Sequence, residues 1–223
     1  MSVAIDPEIE SLTIPAWVHD LPSFQRWVHS GVLPEKLKVH FINGQLWVDL
    51  SMEELISHNR LKTAICFALV TLIEGNDLGT YLSDGMRYTS ESAGFSTEPD
   101  ATYFSHETLA RGDVEFRSGP KGKATEMLGT PDLVIEIVSR STVRKDVDWL
   151  FENYFDAGIP EYWLIDAREE VIQFDIFKPF AKGYIATKKA SGWLKSSVLG
   201  KSFKLIRTIN PRSKLAVYQL EMR

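Results

Sequence analysis

The six residues Leu133-Val134-Ile135-Glu136-Ile137-Val138 carry both the fold and the chemistry of this chain. Alternation along a strand puts Leu133, Ile135 and Ile137 on one face and Val134, Glu136 and Val138 on the other. Both faces are therefore apolar except at Glu136, and a strand apolar on both sides belongs at the centre of a covered sheet. An ionised carboxylate at such a place costs on the order of several kcal/mol unless a metal, a cation or a shifted pKa neutralises it. Glu136 is thus either a structural partner of a buried donor or part of a functional site.

On the N-terminal side of this strand, Asp100 follows Pro99 and leads into a second strand, Ala101 to Phe104. Pro-Asp alone is an ordinary strand or turn entry. Together with Glu136 it supplies two carboxylates on neighbouring strands. Further upstream, Leu61, Ile65, Ala68, Leu69 and Leu72 form a helical stripe, and Ser51 with Glu54 three positions later is a capping-box signature, predicting a helix of about 23 residues from Ser51. Extended backward, the buried stripe reaches Glu54 and His58, which stand four apart on the face that approaches the sheet. Each has a plainer reading, Glu54 as a cap and His58 as a hydrogen-bonded boundary residue. Asp100, Glu136 and Glu54 in combination make a hard oxygen site suited to Mg²⁺ or Mn²⁺. Such an ion polarises a phosphodiester and makes a nucleophile of its bound water, with a nearby lysine to orient that water or stabilise developing charge.

The remaining elements predict an α/β domain. Lys38 to Ile42 and Gln45 to Asp49 flank Asn43-Gly44, the pair that a tight hairpin turn with two positive-φ residues requires. Other strands are predicted at Thr80 to Ser83, Met86 to Tyr88, Tyr162 to Asp166 and Val171 to Phe177, and a helix at about Val143 to Ala157. Ser105 to Thr130, rich in Gly, Lys and Arg, reads as a long loop with a short helix near Thr108 to Arg111. Residues 1–37 read as an N-terminal arm with one amphipathic helix, Pro22 to Ser30, and residues 38–223 as a single domain. Tyr154, Phe151 and Phe155 read as a helix face packed on Tyr162 to Ile165, and Asp166 with Arg168 as turn residues.

Composition narrows the setting. With 44% hydrophobic and 25% charged residues the chain is globular. It has no apolar run of about 18 residues and an acidic N-terminal stretch, so neither a membrane span nor a secretory signal is expected, and a cytoplasmic setting is. The lone cysteine, Cys66, excludes an intramolecular disulfide and reads as a buried helix thiol. The net charge of -5 conceals an asymmetry: residues 178–223 carry eleven Lys or Arg against one acid, Glu221. A basic segment of this kind suits a polyanion such as DNA; it equally suits a sheet edge blunted by lysines. Trp193 reads as an aromatic anchor there.

The stretches VDLSMEELISHN, STEPDATYF, GTPDLVIEIVSRSTVRKD, AGIPEYWLIDAR and GWLKSSVLGKSF together resemble the Uma2 family of restriction endonuclease-like proteins, a branch of the PD-(D/E)xK nuclease superfamily. The resemblance covers most of the chain. It implies a restriction endonuclease-like mixed central sheet flanked by helices, with Asp100 and Glu136 binding a divalent ion. Asp132, four residues before Glu136 and so about 13 Å away along the strand, is set aside as the motif aspartate. Two departures from the family pattern concern the lysine: Val138 fills the last position of Glu-x-Lys, and Leu150 fills the alternative position in the following helix. Lys145, the first lysine after the strand, is the candidate substitute, with Arg144 second. Ser57 also stands where relatives carry a glutamate before the His58 equivalent, making Glu54 its replacement. The resemblance implies a Mg²⁺- or Mn²⁺-dependent endonuclease with Asp100, Glu136, Lys145, Glu54 and His58 in its site, acting on nucleic acid, with DNA foremost. The alternative is a nuclease-fold protein that binds nucleic acid without cleaving it. A third reading has the Tyr/Trp-rich second half form a homodimer surface, an arrangement that symmetric cleavage of a duplex would also favour.

Overall fold

The structure is a computed structural model that describes residues 13–33, 37–49, 54–84, 86–119, 122–139 and 148–223. Its strands form two six-stranded sheets and a smaller three-stranded one. The first sheet is built from β1 (Lys38–Ile42), β2 (Gln45–Asp49), β4 (Arg87–Ser90), β5 (Phe95–Thr97), β7 (Val114–Ser118) and β8 (Ala124–Gly129), in the order β2-β1-β5-β4-β8-β7. The second is built from β3 (Gly79–Ser83), β6 (Ala101–Ser105), β9 (Leu133–Ile137), β10 (Glu161–Asp166), β11 (Gln173–Phe180) and β12 (Gly183–Ala186), in the order β12-β11-β10-β9-β6-β3. Both are mixed: β4 runs parallel to β8 and β9 parallel to β10, while the other pairings are antiparallel.

The strand on which the sequence reading turned is in the interior of its sheet. β9 lies between β10 and β6, and all five of its residues are buried. Leu133, Ile135 and Ile137 enter one apolar cluster and Val134 another, as alternation requires. The first cluster includes Leu61, Ile65, Leu69 and Leu72 of α2 (Arg60–Ile73) and Phe203, Tyr218 and Leu220 of the three-stranded sheet, β13 (Leu194–Lys195), β14 (Ser202–Ile209) and β15 (Ala216–Met222). The second fills the space between the two large sheets, where Ile42, Tyr88, Phe95 and Met127 meet Phe104, Val134 and Tyr162, with Leu150 and Tyr154 of α4 (Leu150–Asp156). On the far side of the first sheet, Leu21, Phe24 and Trp27 of α1 (Leu21–Val28) pack on Val39 and Phe41. Asp20 caps this helix in a capping box with Ser23.

The hairpin has the predicted turn, with Asn43 at φ 52° and Gly44 at φ 70° and Ile42 paired to Gln45. Two predictions change. The segment from Ser105 to Thr130 is no long loop: the short helix α3 (His106–Ala110) is followed by the hairpin of β7 and β8. Its polar and exposed positions, among them Glu115 and Ser118, hide the strand period because β7 is the edge of its sheet. The long helix predicted from Ser51 is shorter and in two parts, a π-helical turn Leu55–Asn59 running into α2. Glu54 caps it, accepting from the amides of Ile56 and Ser57; Ser51 lies outside the described residues, as does the start of the helix predicted from Val143.

The C-terminal sheet is fastened to the domain by a buried carboxylate. Glu161, at the start of β10, accepts from Trp163 Nε1 at 2.7 Å and from the amides of Ser197 and Val198 at 2.8 and 3.3 Å. Trp163 then packs edge-on against Phe203. Trp193 anchors the same sheet, with the Arg223 guanidinium 4.3 Å over its ring.

Candidate active site

The register of β6 on β9 brings the two predicted carboxylates to one level. Ala101 pairs with Ile135 in antiparallel sense, so the next pair outward is Asp100 and Glu136. Asp100 confirms this placement by accepting the amide of Ile137 at 2.8 Å. Both are buried, Asp100 to 9% and Glu136 to 2% exposure. The side-chain partners of Asp100 come from α2 and the π-turn before it, and Tyr154 of α4 reaches Glu136.

On the α2 side, His58 donates through Nε2 to the Ile137 carbonyl at 3.0 Å and stands 3.6 Å from Asp100 Oδ2. The π-helical turn, a feature that recurs at functional sites, is what presents this imidazole. One turn further, Lys62 Nζ lies 3.6 Å from Asp100 Oδ1 and donates to Asp84 Oδ2 at 3.0 Å. Burial alone would raise the Asp100 pKa. The His58 and Lys62 charges and the Ile137 amide outweigh it and hold the carboxyl below its ordinary value, so Asp100 is an anion at neutral pH. Asp84, bridged by Lys62 and Lys38, is likewise held low against its partial burial.

On the α4 side, the Tyr154 hydroxyl donates to Glu136 Oε1 at 2.6 Å. The same tyrosine packs its ring 5.2 Å from Tyr162, as the sequence led us to expect, but its hydroxyl has a polar duty that reading overlooked. The signal was available: a tyrosine on a buried helix face needs a partner for its O–H. Lys62 was overlooked too. A step of four from His58 into α2 reaches Lys62.

The other sequence candidates fall as follows. Glu54 is an exposed helix cap whose side chain lines, with His58, Ser139, Arg168 and Arg207, a cleft of about 270 Å³. Lys145 and Arg144 lie outside the described residues. Leu150 is fully buried in the inter-sheet core. Asp132 accepts from the Ser105 amide at 2.6 Å and the Thr108 hydroxyl at 2.7 Å, ordering the start of α3. Cys66 is half-buried on α2, and Arg168 pairs with Asp166 at 2.6 Å. No helix among the described residues is long and apolar enough to cross a membrane.

A mixed sheet with helices on it and two buried acids at adjacent strand ends is the arrangement of a restriction endonuclease-like protein. The comparisons give the particular family: residues 21–193 match the Uma2 family model, described as "Putative restriction endonuclease", and the chain belongs to that family. Among solved structures it is similar to one from Anabaena variabilis ATCC 29413, described as a "putative nuclease belonging to DUF820". The two share 17% identity and superpose with a TM-score of 0.60 over 81% of this chain and 90% of the other. No curated protein matches the chain. Family membership supports a nuclease function.

Proposed function

We propose that the protein is a divalent-metal-dependent endonuclease that hydrolyses phosphodiester bonds of nucleic acid, DNA foremost. The observation that carries this reading is the pair of buried carboxylates at one level of adjacent strands, one of them held ionised. Their chemistry fits Mg²⁺ or Mn²⁺. Both are hard oxygen donors, and Mg²⁺ is commonly held by one or two carboxylates with water completing its shell. No group of three His, Cys, Asp or Glu placed to hold a metal occurs among the described residues.

Asp100 and Glu136 would hold the ion, which supplies charge to the phosphoryl oxygens and an acidified water. The chain's own residues do the positioning. His58 and the Ile137 amide keep the Asp100 carboxylate ionised and fixed, and Tyr154 fixes one oxygen of Glu136. Glu54, on the rim of the His58 cleft, is a candidate third acid only if it leaves its cap. Lys145, the first lysine after β9 in sequence, is the cation the family resemblance offers for the attacking water. The basic residues of 178–223 would grip the phosphate backbone, since each contact releases counterions.

Incubation with plasmid DNA in Mg²⁺ or Mn²⁺ tests the reading. Nicking or linearisation is expected in the wild type and its loss in Glu136→Ala; cleavage unchanged in that variant would sink the assignment. A second reading, a nuclease fold that binds nucleic acid without cutting it, is favoured by Val138 and the buried Leu150 at the two lysine positions. It requires salt-sensitive DNA binding with no measurable Mn²⁺ affinity.

A further inference from the structure

The site lacks a lysine where the sequence pattern wants one, yet a lysine is there. Lys62 is 9% exposed, the one buried lysine among the described residues. Burying an ammonium is unfavourable unless it is paired, and the partners of Lys62 include Asp84 at 3.0 Å and Asp100 at 3.6 Å. The two distances differ in kind. The first is a hydrogen bond, the second an ion pair too long for one. Asp84 therefore holds the ammonium just short of Asp100, and Lys38, 3.1 Å from the other Asp84 oxygen, steadies Asp84 in turn.

Lys62 is also reachable. It lines an open groove of about 550 Å³ together with Ser83, Asp84 and the α2 residues Thr63, Cys66 and Phe67. A flexible, four-carbon point charge at the mouth of a groove and beside a buried acid suits a phosphate oxygen. Lys145, by contrast, is offered by sequence order alone.

Resting on the nuclease reading above, we propose that Lys62 is the catalytic cation of this site, supplied by α2 rather than by the strand or the helix after it. Its ammonium donates to a non-bridging oxygen of the scissile phosphate as charge builds there, leaving Asp84 to do so. Asp84 is its resting partner.

Two measurements with opposite signs test this. Lys62→Met, close in volume, is expected to cleave plasmid DNA on the order of 100-fold more slowly, the usual loss when one charge-stabilising donor is removed. The same variant is expected to bind Mn²⁺ several-fold more tightly by calorimetry without DNA, because a positive charge 3.6 Å from Asp100 is gone. A lysine that merely filled space would change neither. Asp84→Asn should do the reverse and weaken Mn²⁺ binding several-fold, since the pull of the Asp84 charge on Lys62 away from Asp100 is gone; this variant carries the test if Lys62→Met fails to fold. Mn²⁺ affinity unchanged in the folded variants overturns the proposal. So does wild-type cleavage that is lost in Glu136→Ala and Lys145→Ala but kept in Lys62→Met, an outcome that leaves the nuclease reading intact. A wild type that neither cleaves nor binds Mn²⁺ overturns both.

Discussion

The buried acids Glu126 and Asp100 have surroundings that are built differently. Glu126, on β8 beneath α1, has both oxygens filled by side chains: Thr89 at 2.6 Å, His29 at 2.8 Å, Arg117 at 3.1 Å and Gln25 at 3.3 Å. Arg87 beside it is bonded to Glu98 and to the Val39 carbonyl. Asp100, in the other cluster, has one strong bond to an amide and two cations held off at 3.6 Å. A charge closed in by its own chain is cement between a helix and a sheet. A charge whose cations stand off, on the strand next to a second acid and with its lysine lining an open groove, is kept available for something else. Burial alone does not tell the two apart; the distances of the donors do.

Removing one acid from each cluster breaks the comparison most sharply. Glu136→Ala should lower cleavage on the order of 1,000-fold, about 4 kcal/mol in the barrier, while its urea midpoint stays near that of the wild type. Glu126→Ala should do the opposite. Four donors lose their acceptor, so unfolding free energy should fall by about 3 kcal/mol, with cleavage per folded molecule unchanged. A Glu136 variant that unfolds and a Glu126 variant that only loses activity would reverse the roles given to the two clusters.

Acid offers a finer separation. Burial pushes the Glu126 pKa up, but the hydrogen bonds from Thr89, His29 and Gln25 and the His29 charge pull it below its ordinary 4.5. A group whose folded pKa is depressed stabilises the fold above its unfolded value, and that contribution is lost as pH falls through the folded pKa. Wild type should therefore lose stability between about pH 5 and pH 3 faster than Glu126→Gln, by about 1 kcal/mol across the window. Asp100 is depressed as well and remains in both proteins, so the difference between their urea midpoints isolates Glu126. Parallel curves would mean that Glu126 is not held ionised by its partners.

The sequence disclosed one of these clusters and hid the other, for a physical reason. Glu136 stands out because its neighbours on both sides are aliphatic, and a strand apolar on both faces has few places to be. Asp100 came with it through the strand pairing. Glu126 sits in Ala124-Thr-Glu-Met-Leu-Gly129, where alternating polarity looks like an exposed edge; only α1, packed on that face from about a hundred residues away in sequence, makes it interior. The same limit hid β7 and β8 inside what read as a loop. Helix termini are half legible: Glu54 reads both as a cap and as a ligand, and the π-helical turn that aims His58 leaves no mark in the hydrophobic period. Lys62 was invisible as a functional residue because a lysine next to a buried leucine stripe normally reaches solvent, and what keeps it inside, Asp84 and Asp100, is distant in the chain.

The smallest change that still discriminates is a single hydroxyl from each cluster. Thr89→Val removes the 2.6 Å donor to Glu126, and Tyr154→Phe removes the 2.6 Å donor to Glu136 while keeping the ring against Tyr162 and Tyr88. Hydrogen bonds to ionised groups contribute about 1.5–3 kcal/mol, so Thr89→Val should lower the unfolding free energy by about 1.5 kcal/mol and leave cleavage alone. Glu136 is proposed to share its charge with a metal ion, so its tyrosine matters for where the oxygen sits more than for whether the charge is tolerated. Tyr154→Phe should then cost less than about 1 kcal/mol in stability yet slow cleavage roughly 10-fold, with Mn²⁺ binding weakened to a similar degree. Equal stability losses in the two variants, with cleavage untouched in both, would make Glu136 a second Glu126: a buried acid whose partner is its own helix.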